Sequence, residues 1–231
     1  MSRLSVRPLF ALVLFGCSGS EGSAAARAAD AATLQPAAAT ALAAKGDTVL
    51  AKADAGRILG SAKAGVWMII ISDFQCPFCK RWHDETWAAV RKDYVDTGKL
   101  RVAYVNLPLS MHRNALPAAQ VAMCASVQDK FWPVQDALFR AQREWADAAD
   151  PQPVFETYAR AAGVDMDALR SCVQSGATRP LIQADVDRAT NAGASSTPMF
   201  FIGGRPLLGA QPLSAFRGAI DAALAALPTG K

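Results

Sequence analysis

The chain has 231 residues, 52% of them hydrophobic and 19% charged, so it can bury a sizeable core and its body is not an intrinsically disordered segment. Its formal net charge is +4, to which Arg3 and Arg7 near the N-terminus contribute, and this is too small for a nucleic-acid-binding surface. The five cysteines are the scarce reactive residues, and where they fall matters more than their number.

In chain order, residues 1–17 carry the two arginines and then an apolar stretch from Pro8 to Gly16. This is the n-region and h-region pattern of a bacterial export signal, and it is too short to span a bilayer. The stretch closes on Leu14-Phe15-Gly16-Cys17-Ser18, which resembles the lipobox of bacterial lipoproteins and makes Cys17 the expected lipidation site. Cleavage after Ala26-Arg27-Ala28 is the alternative, and it leaves a soluble periplasmic protein without Cys17. Residues 18–45 are rich in Ala, Gly and Ser and contain no aromatic side chain, so they read as a linker.

Gly46 to Lys52 predicts a short first strand, and Ala53 to Gly65 a loop punctuated by Gly56, Gly60 and Gly65. Val66 to Ile71 is a run of large and β-branched apolar residues, the pattern of a buried strand. It breaks at Ser72-Asp73-Phe74-Gln75 and delivers Cys76-Pro77-Phe78-Cys79. Pro77 suits the first turn of a helix, because its missing N–H has no intrahelical partner there. The helix should run to about Thr97, with Gly98 as its stop, and Lys99 to Leu107 predicts a second strong strand. Together these form a βαβ unit with parallel strands and a right-handed crossover.

Residues 108–191 are mostly helical by periodicity, over Ala115–Val127, Lys130–Glu144, Pro153–Ala162, Asp165–Ser175 and Thr178–Asn191. That is too long for a connector and reads as an inserted helical subdomain. The sheet resumes at Pro198–Ile202, turns at Gly203-Gly204, returns over Arg205–Gly209, and a helix from Pro212 to Ala226 follows. A proline opening a core strand, as Pro198 does after Thr197, is a candidate cis peptide.

The chemistry sits at Cys76 and Cys79. A cysteine at a helix N-terminus has its thiolate stabilised by unpaired backbone N–H groups and by the helix dipole. Cys79 follows one turn later on the same face, within disulfide reach. The competing readings are a static disulfide or half of a zinc site, for which His83 would be a third ligand although no second CxxC exists. Otherwise His83 reads as a polar residue on the helix surface and His112 as a helix-start residue. Trp82, Phe131, Trp132, Phe139 and Trp145 read as core. Phe74, Phe78 and Met199 are the apolar residues expected to surround the disulfide at the surface.

Ser72-Asp73-Phe74-Gln75-Cys76-Pro77-Phe78-Cys79, the helical insertion, and Thr197-Pro198 leading into Met199-Phe200-Phe201-Ile202-Gly203-Gly204 resemble the thioredoxin superfamily. Within it they are most similar to the DsbA-like thiol:disulfide oxidoreductases of the bacterial envelope. The resemblance implies an α/β, thioredoxin-like fold over residues 46–227, with the helical insertion at 108–191. It implies Cys76 and Cys79 as the catalytic pair, and Pro77, Phe78, Thr197 and Pro198 as substrate-binding residues, with Thr197 offering backbone groups to an extended client strand.

Further implications are cysteine-containing exported proteins as clients, a membrane partner for reoxidation, a periplasmic location with an outer-membrane anchor if Cys17 is lipidated, and no metal or cofactor. Disulfide donation is the favoured direction, with a reductase or isomerase, a metal-handling protein and a chaperone-like binder as alternatives. Two positions depart from the pattern. Phe78 stands where strongly oxidising members carry His, and Ile70 stands six residues before Cys76, where many relatives carry a carboxylate. Cys124 and Cys172, on two helices of the insertion, are expected to form a structural disulfide, as an even pair in an exported subdomain often does; two separate buried thiols are the alternative.

Overall fold

The computed structural model describes residues 48–228, so the leader, Cys17 and the linker of residues 18–45 lie outside the described residues. Thr48–Gly56 is a helix, α1, which overturns the strand expected over Gly46 to Lys52. Its alanines favour a helix, and Leu50, Ala53 and Asp54, spaced at helical intervals, are the buried positions. The first strand comes later, inside the expected loop: β1 is the two-residue Ile58–Leu59, antiparallel to β3 (Leu100–Asn106).

Strand β2 (Val66–Ser72) and strand β3 (Leu100–Asn106) pair in parallel over their whole lengths. The connection between them is helix α2, which begins as Pro77–Trp82 and continues to residue 95 through two wider π turns, His83–Trp87 and Arg91–Val95. Strand β4 (Met199–Ile202) runs antiparallel to β2, and β5 (Arg205–Leu208) antiparallel to β4. The order is β1-β3-β2-β4-β5, which places β2 at the centre. The β4–β5 turn falls on Gly203 and Gly204, whose positive φ values of 54° and 82° favour glycine.

Alternation along the strands builds two cores. Met68, Ile70, Val102, Tyr104, Phe200 and Ile202 face one side, while Ile69, Ile71, Ala103, Val105, Met199 and Phe201 face the other. The first side carries α2, α9 (Leu213–Ala225) and most of the helical subdomain. That subdomain comprises α3 (Ala115–Ser126), α4 (Phe131–Arg140), the short α5 (Gln142–Trp145), α6 (Gln152–Ala161), α7 (Met166–Ser175) and α8 (Arg179–Asn191). α3 is buried on nearly every side and is its central helix. Cys124 on α3 and Cys172 on α7, 48 residues apart in sequence, are joined by a disulfide.

A buried charge cluster ties α1, β3 and α8 together. Arg57 bonds both Asp54 and Asp185, and Asp185 also accepts from the Asn106 backbone at 3.0 Å, from the Asn106 side chain at 2.9 Å, and from Arg188. Both carboxylates and Arg57 are almost fully enclosed, so each charge depends on its partners for the solvation water would have supplied. Asp185→Ala should therefore lower the unfolding free energy by about 3–5 kcal/mol in urea denaturation, because it leaves the buried Arg57 with one carboxylate partner of its two and deprives the Asn106 N–H groups of their acceptor.

Candidate active site

Three elements converge on the cysteines: the end of β2, the start of α2, and the approach to β4. The chain leaves β2 at Ser72 and makes a tight turn, in which the Asp73 carboxylate accepts from the Gln75 N–H at 2.7 Å and the Cys76 N–H donates to the Asp73 carbonyl at 3.2 Å. Cys76 is the N-cap of α2 and keeps extended backbone angles, with Pro77 in the first turn behind it. Cys79 lies one turn deeper, fully buried beneath the helix. Neither cysteine is bridged.

β4, antiparallel to β2, brings a segment 121 residues distant to the same place: the Cys76 Sγ lies 3.4 Å from the Thr197 carbonyl oxygen. The peptide between Thr197 and Pro198 is cis.

The two thiols are electrostatically unequal. Hydrogen bonding from the Cys79 thiol, which outweighs the opposing effect of burial, brings the Cys76 pKa down to about 6, with Thr197 and the backbone N–H groups of Phe78 and Cys79 adding to it. Burial pushes the Cys79 pKa well up, and the adjacent Cys76 charge pushes it further; the Asp73 N–H and the Ser72 hydroxyl oppose this only in part. A thiolate on the outer sulfur beside a neutral inner thiol is the arrangement that thiol–disulfide exchange requires.

Phe78 is 54% exposed beside the thiols, with the Arg81 guanidinium over its ring at 5.2 Å. The expectation that Phe74 and Met199 share that surface is overturned. Phe74 turns inward as the chain leaves β2 and stacks on Tyr104 and Phe139, each at 5.2 Å. Met199 is buried on the opposite sheet face, paired with Ile71.

His83 is not a surface residue either, because α4 covers that side of α2. Its ring stacks on Phe139 at 5.1 Å, and its nitrogens lie 3.1 Å from Asp84 and 3.0 Å from Asp136. His112 does not begin a helix as expected but lies in the loop before α3, whose N-cap is Asn114; its Nδ1 lies 2.7 Å from the buried Asp73 carboxylate.

Sequence reasoning missed the polar network that holds the turn in place. Gln142 on α5 donates to the carbonyls of Phe74, at 2.6 Å, and Cys76, at 3.1 Å. Gln75 donates to the Ala146 carbonyl at 2.8 Å and accepts from the Asn114 N–H at 2.7 Å. The Asn114 side chain bonds the carbonyls of Trp145, Ala146 and Ala148. No spacing marks these residues, since their partners are backbone groups far away in sequence.

The family model described as Thioredoxin matches residues 52–222. The chain is 31% identical over 173 residues to the Na(+)/H(+) antiporter NhaA 3 of Salinispora tropica, a match that takes in 74% of this chain and only 25% of the antiporter. It is 23% identical to the probable disulfide bond formation protein D of Bacillus anthracis, over 63% of this chain and 69% of that protein. The crystal structure of alpha-DsbA1 from Wolbachia pipientis superposes with a TM-score of 0.66 at 24% identity, covering 73% of this chain and 90% of the other.

In the reduced protein, thiolate absorbance should titrate with a midpoint of about 6, and iodoacetamide should alkylate Cys76 but not Cys79. Because the folded pKa lies below the unfolded value, near 9.0, the stability this thiolate adds to the reduced form grows as pH rises through 6 and is complete only above 9. It is lost as pH falls below 6. A single midpoint near 9 would refute the asymmetry.

Proposed function

The chain belongs to the thioredoxin family, and from that premise we propose that it is a protein thiol:disulfide oxidoreductase with Cys76 and Cys79 as its redox pair. The observation that carries this reading is the acidic thiol of Cys76 at the mouth of α2, facing the Thr197 carbonyl, above a buried and far less acidic Cys79. In the oxidising direction, a client thiolate attacks the Cys76 sulfur of the disulfide, and Cys79 leaves. A second client thiol resolves the mixed disulfide, and Cys76 departs as a thiolate.

A low Cys76 pKa stabilises the reduced enzyme relative to the disulfide, which favours donation of the disulfide to clients. The Phe78 side chain offers no hydrogen bond to the thiolate, which gains only the backbone N–H of that residue, so the bias is milder than a histidine there would confer.

Client binding falls to Pro77, Phe78, Thr197 and Pro198. Exposed Phe78 supplies apolar contact, and the backbone of Thr197, at the edge of the cysteine site, offers hydrogen bonds to an extended segment. Residues 46–227 form the working unit, with the insertion at 108–191 walling one side of the turn. The export-type leader and the Cys124–Cys172 disulfide fit an oxidising envelope compartment, with cysteine-containing exported proteins as clients and a membrane partner to restore the disulfide. Lipidation of Cys17 would tether the unit to the membrane across the 18–45 linker. Among the described residues no helix is long and apolar enough to cross a membrane.

The metal-handling alternative loses its third ligand, because both ring nitrogens of His83 already face carboxylates. Cys76→Ser should abolish oxidative refolding of a reduced, disulfide-containing client, and Cys79→Ser should accumulate the client–Cys76 mixed disulfide on non-reducing gels. Wild-type refolding rates for Cys76→Ser would sink the proposal. The reduction potential measured against glutathione sets the direction: a potential more oxidising than that of glutathione is expected for a donor.

A further inference from the structure

Two grooves meet at His112, which lines both, and together they lead away from the redox site. The first, about 660 Å³, starts at Pro77, next to Cys76, and lies between the first turns of α2 and the region of α5. The second, about 680 Å³, lies between the loop after β3 and the first turns of α8. Neither is lined by Thr197 or Pro198, so the path is built by α2 and the helical insertion and not by the approach to β4.

The grooves differ in chemistry. Along the first, Lys80, Arg81 and Arg143 are balanced by Asp84, Glu85 and Asp147. The second has an apolar floor that includes Leu109, Leu116, Ile182 and Val186, and no carboxylate lines it. Its charged lining is Arg113 and Arg179, beside His112. Arg113 donates to the Ala148 carbonyl, and neither arginine has a carboxylate partner among the described residues. Leu116 is 41% exposed, and Met111, next to His112 in the same loop, is 80% exposed. Large apolar side chains grouped in water beside unpaired cations mark a surface that a partner covers.

We propose that the second groove docks an acidic, apolar segment of the client protein while the client's cysteine reacts at Cys76, so that clients carrying such a segment near a cysteine are preferred. Apolar side chains of the segment cover Leu116, Ile182 and Val186, and its carboxylates face Arg113 and Arg179, whose planar guanidinium groups suit carboxylate pairing. The first groove, with its charges balanced, carries the intervening residues without selecting their sign. Contacts made away from the reacting sulfurs are equal in the bound client and in the transition state, so they tighten binding and leave the chemical step alone. They also hold the client's cysteine at a raised effective concentration beside the disulfide.

Such docking rests on the exchange reading for its use, yet a peptide without a cysteine reports on it directly. The probe is a fluorescent peptide with serine in the cysteine's place, a Gly-Ser spacer, and a segment of alternating leucine and glutamate. It should bind the protein, and bind less tightly as salt is raised. Arg113→Gln/Arg179→Gln should weaken binding about fivefold, the loss of two exposed ion pairs. Arg179→Gln alone, which breaks no hydrogen bond within the protein, should weaken it about twofold. Arg113→Glu/Arg179→Glu should instead prefer a peptide with lysine in place of glutamate. With the cysteine restored, the double glutamine variant should show a KM for the peptide about fivefold higher, with kcat, the rate with glutathione and the urea midpoint unchanged.

Equal binding of the glutamate and lysine peptides by the wild type overturns the proposal, as does equal binding of the glutamate peptide by the wild type and the double glutamine variant. A dimer that dissociates in that variant also overturns it, marking the groove as an interface between two copies. So does binding to phosphatidylglycerol vesicles that the variant loses, which marks a membrane-facing surface. If neither the cysteine peptide nor glutathione reacts with the protein, the exchange reading fails, while binding of the serine peptide still decides the docking site.

Discussion

The turn from Ser72 to Cys76 has to be buried, polar and immobile at once, and the rest of the site depends on how that conflict is met. Its backbone leaves β2 before α2 can satisfy it, so its carbonyls and N–H groups need partners from elsewhere. Gln142 takes two of the carbonyls, the Asp73 carboxylate takes the N–H groups of Gln75 and Leu109 together with His112, and Gln75 locks to Asn114 and Ala146. These partners come largely from the helical insertion. The subdomain therefore does more than enlarge the core: it supplies the hydrogen bonds that keep Cys76 at the mouth of its helix.

The electrostatic asymmetry of the two thiols follows from that placement. One sulfur sits where backbone N–H groups and a neighbouring thiol stabilise charge, and the other, a turn deeper, sits where burial opposes it. The same depth gives Cys79 its aromatic and hydroxyl surroundings. Phe74 stacks on Tyr104 and Phe139, and Phe139 stacks on His83, so the wall behind the inner thiol is a continuous ring stack reaching from β3 to α4. The Asp73 N–H and the Ser72 hydroxyl are the polar groups that favour charge on the inner sulfur, and burial outweighs them.

Much of the fold was legible in advance because local pattern and tertiary role agreed. The run from Val66 to Ile71 is a strand buried on both faces, the Pro77 helix starts where proline is tolerated, and the glycine pair turns the hairpin. The reading failed where a short segment carried little signal: Thr48–Gly56 follows the helical preference of its alanines and the burial of Leu50 and Ala53. It failed also at His83, Phe74 and Met199, whose exposure depended on what packs above them. Residue type suggested surface for His83, and nearness to the cysteines suggested surface for the other two, but neither property reports the position of α4 or the direction in which a turn points its side chain.

Short-range patterning along the chain was enough to single out the candidate reactive residues: a cysteine pair at helical spacing after a buried strand, a distant Thr-Pro step, and two more cysteines in a helical insertion. These are visible because strand, helix-start and turn preferences are local and short in range. That Cys76 meets the Thr197 carbonyl, that Cys124 meets Cys172, that Gln142 braces the turn, and that Phe74 turns inward onto Tyr104 came from the packing of the whole chain. Each of these depends on strand register and on helices packing across long stretches of chain, and no local preference encodes where the partner will come from.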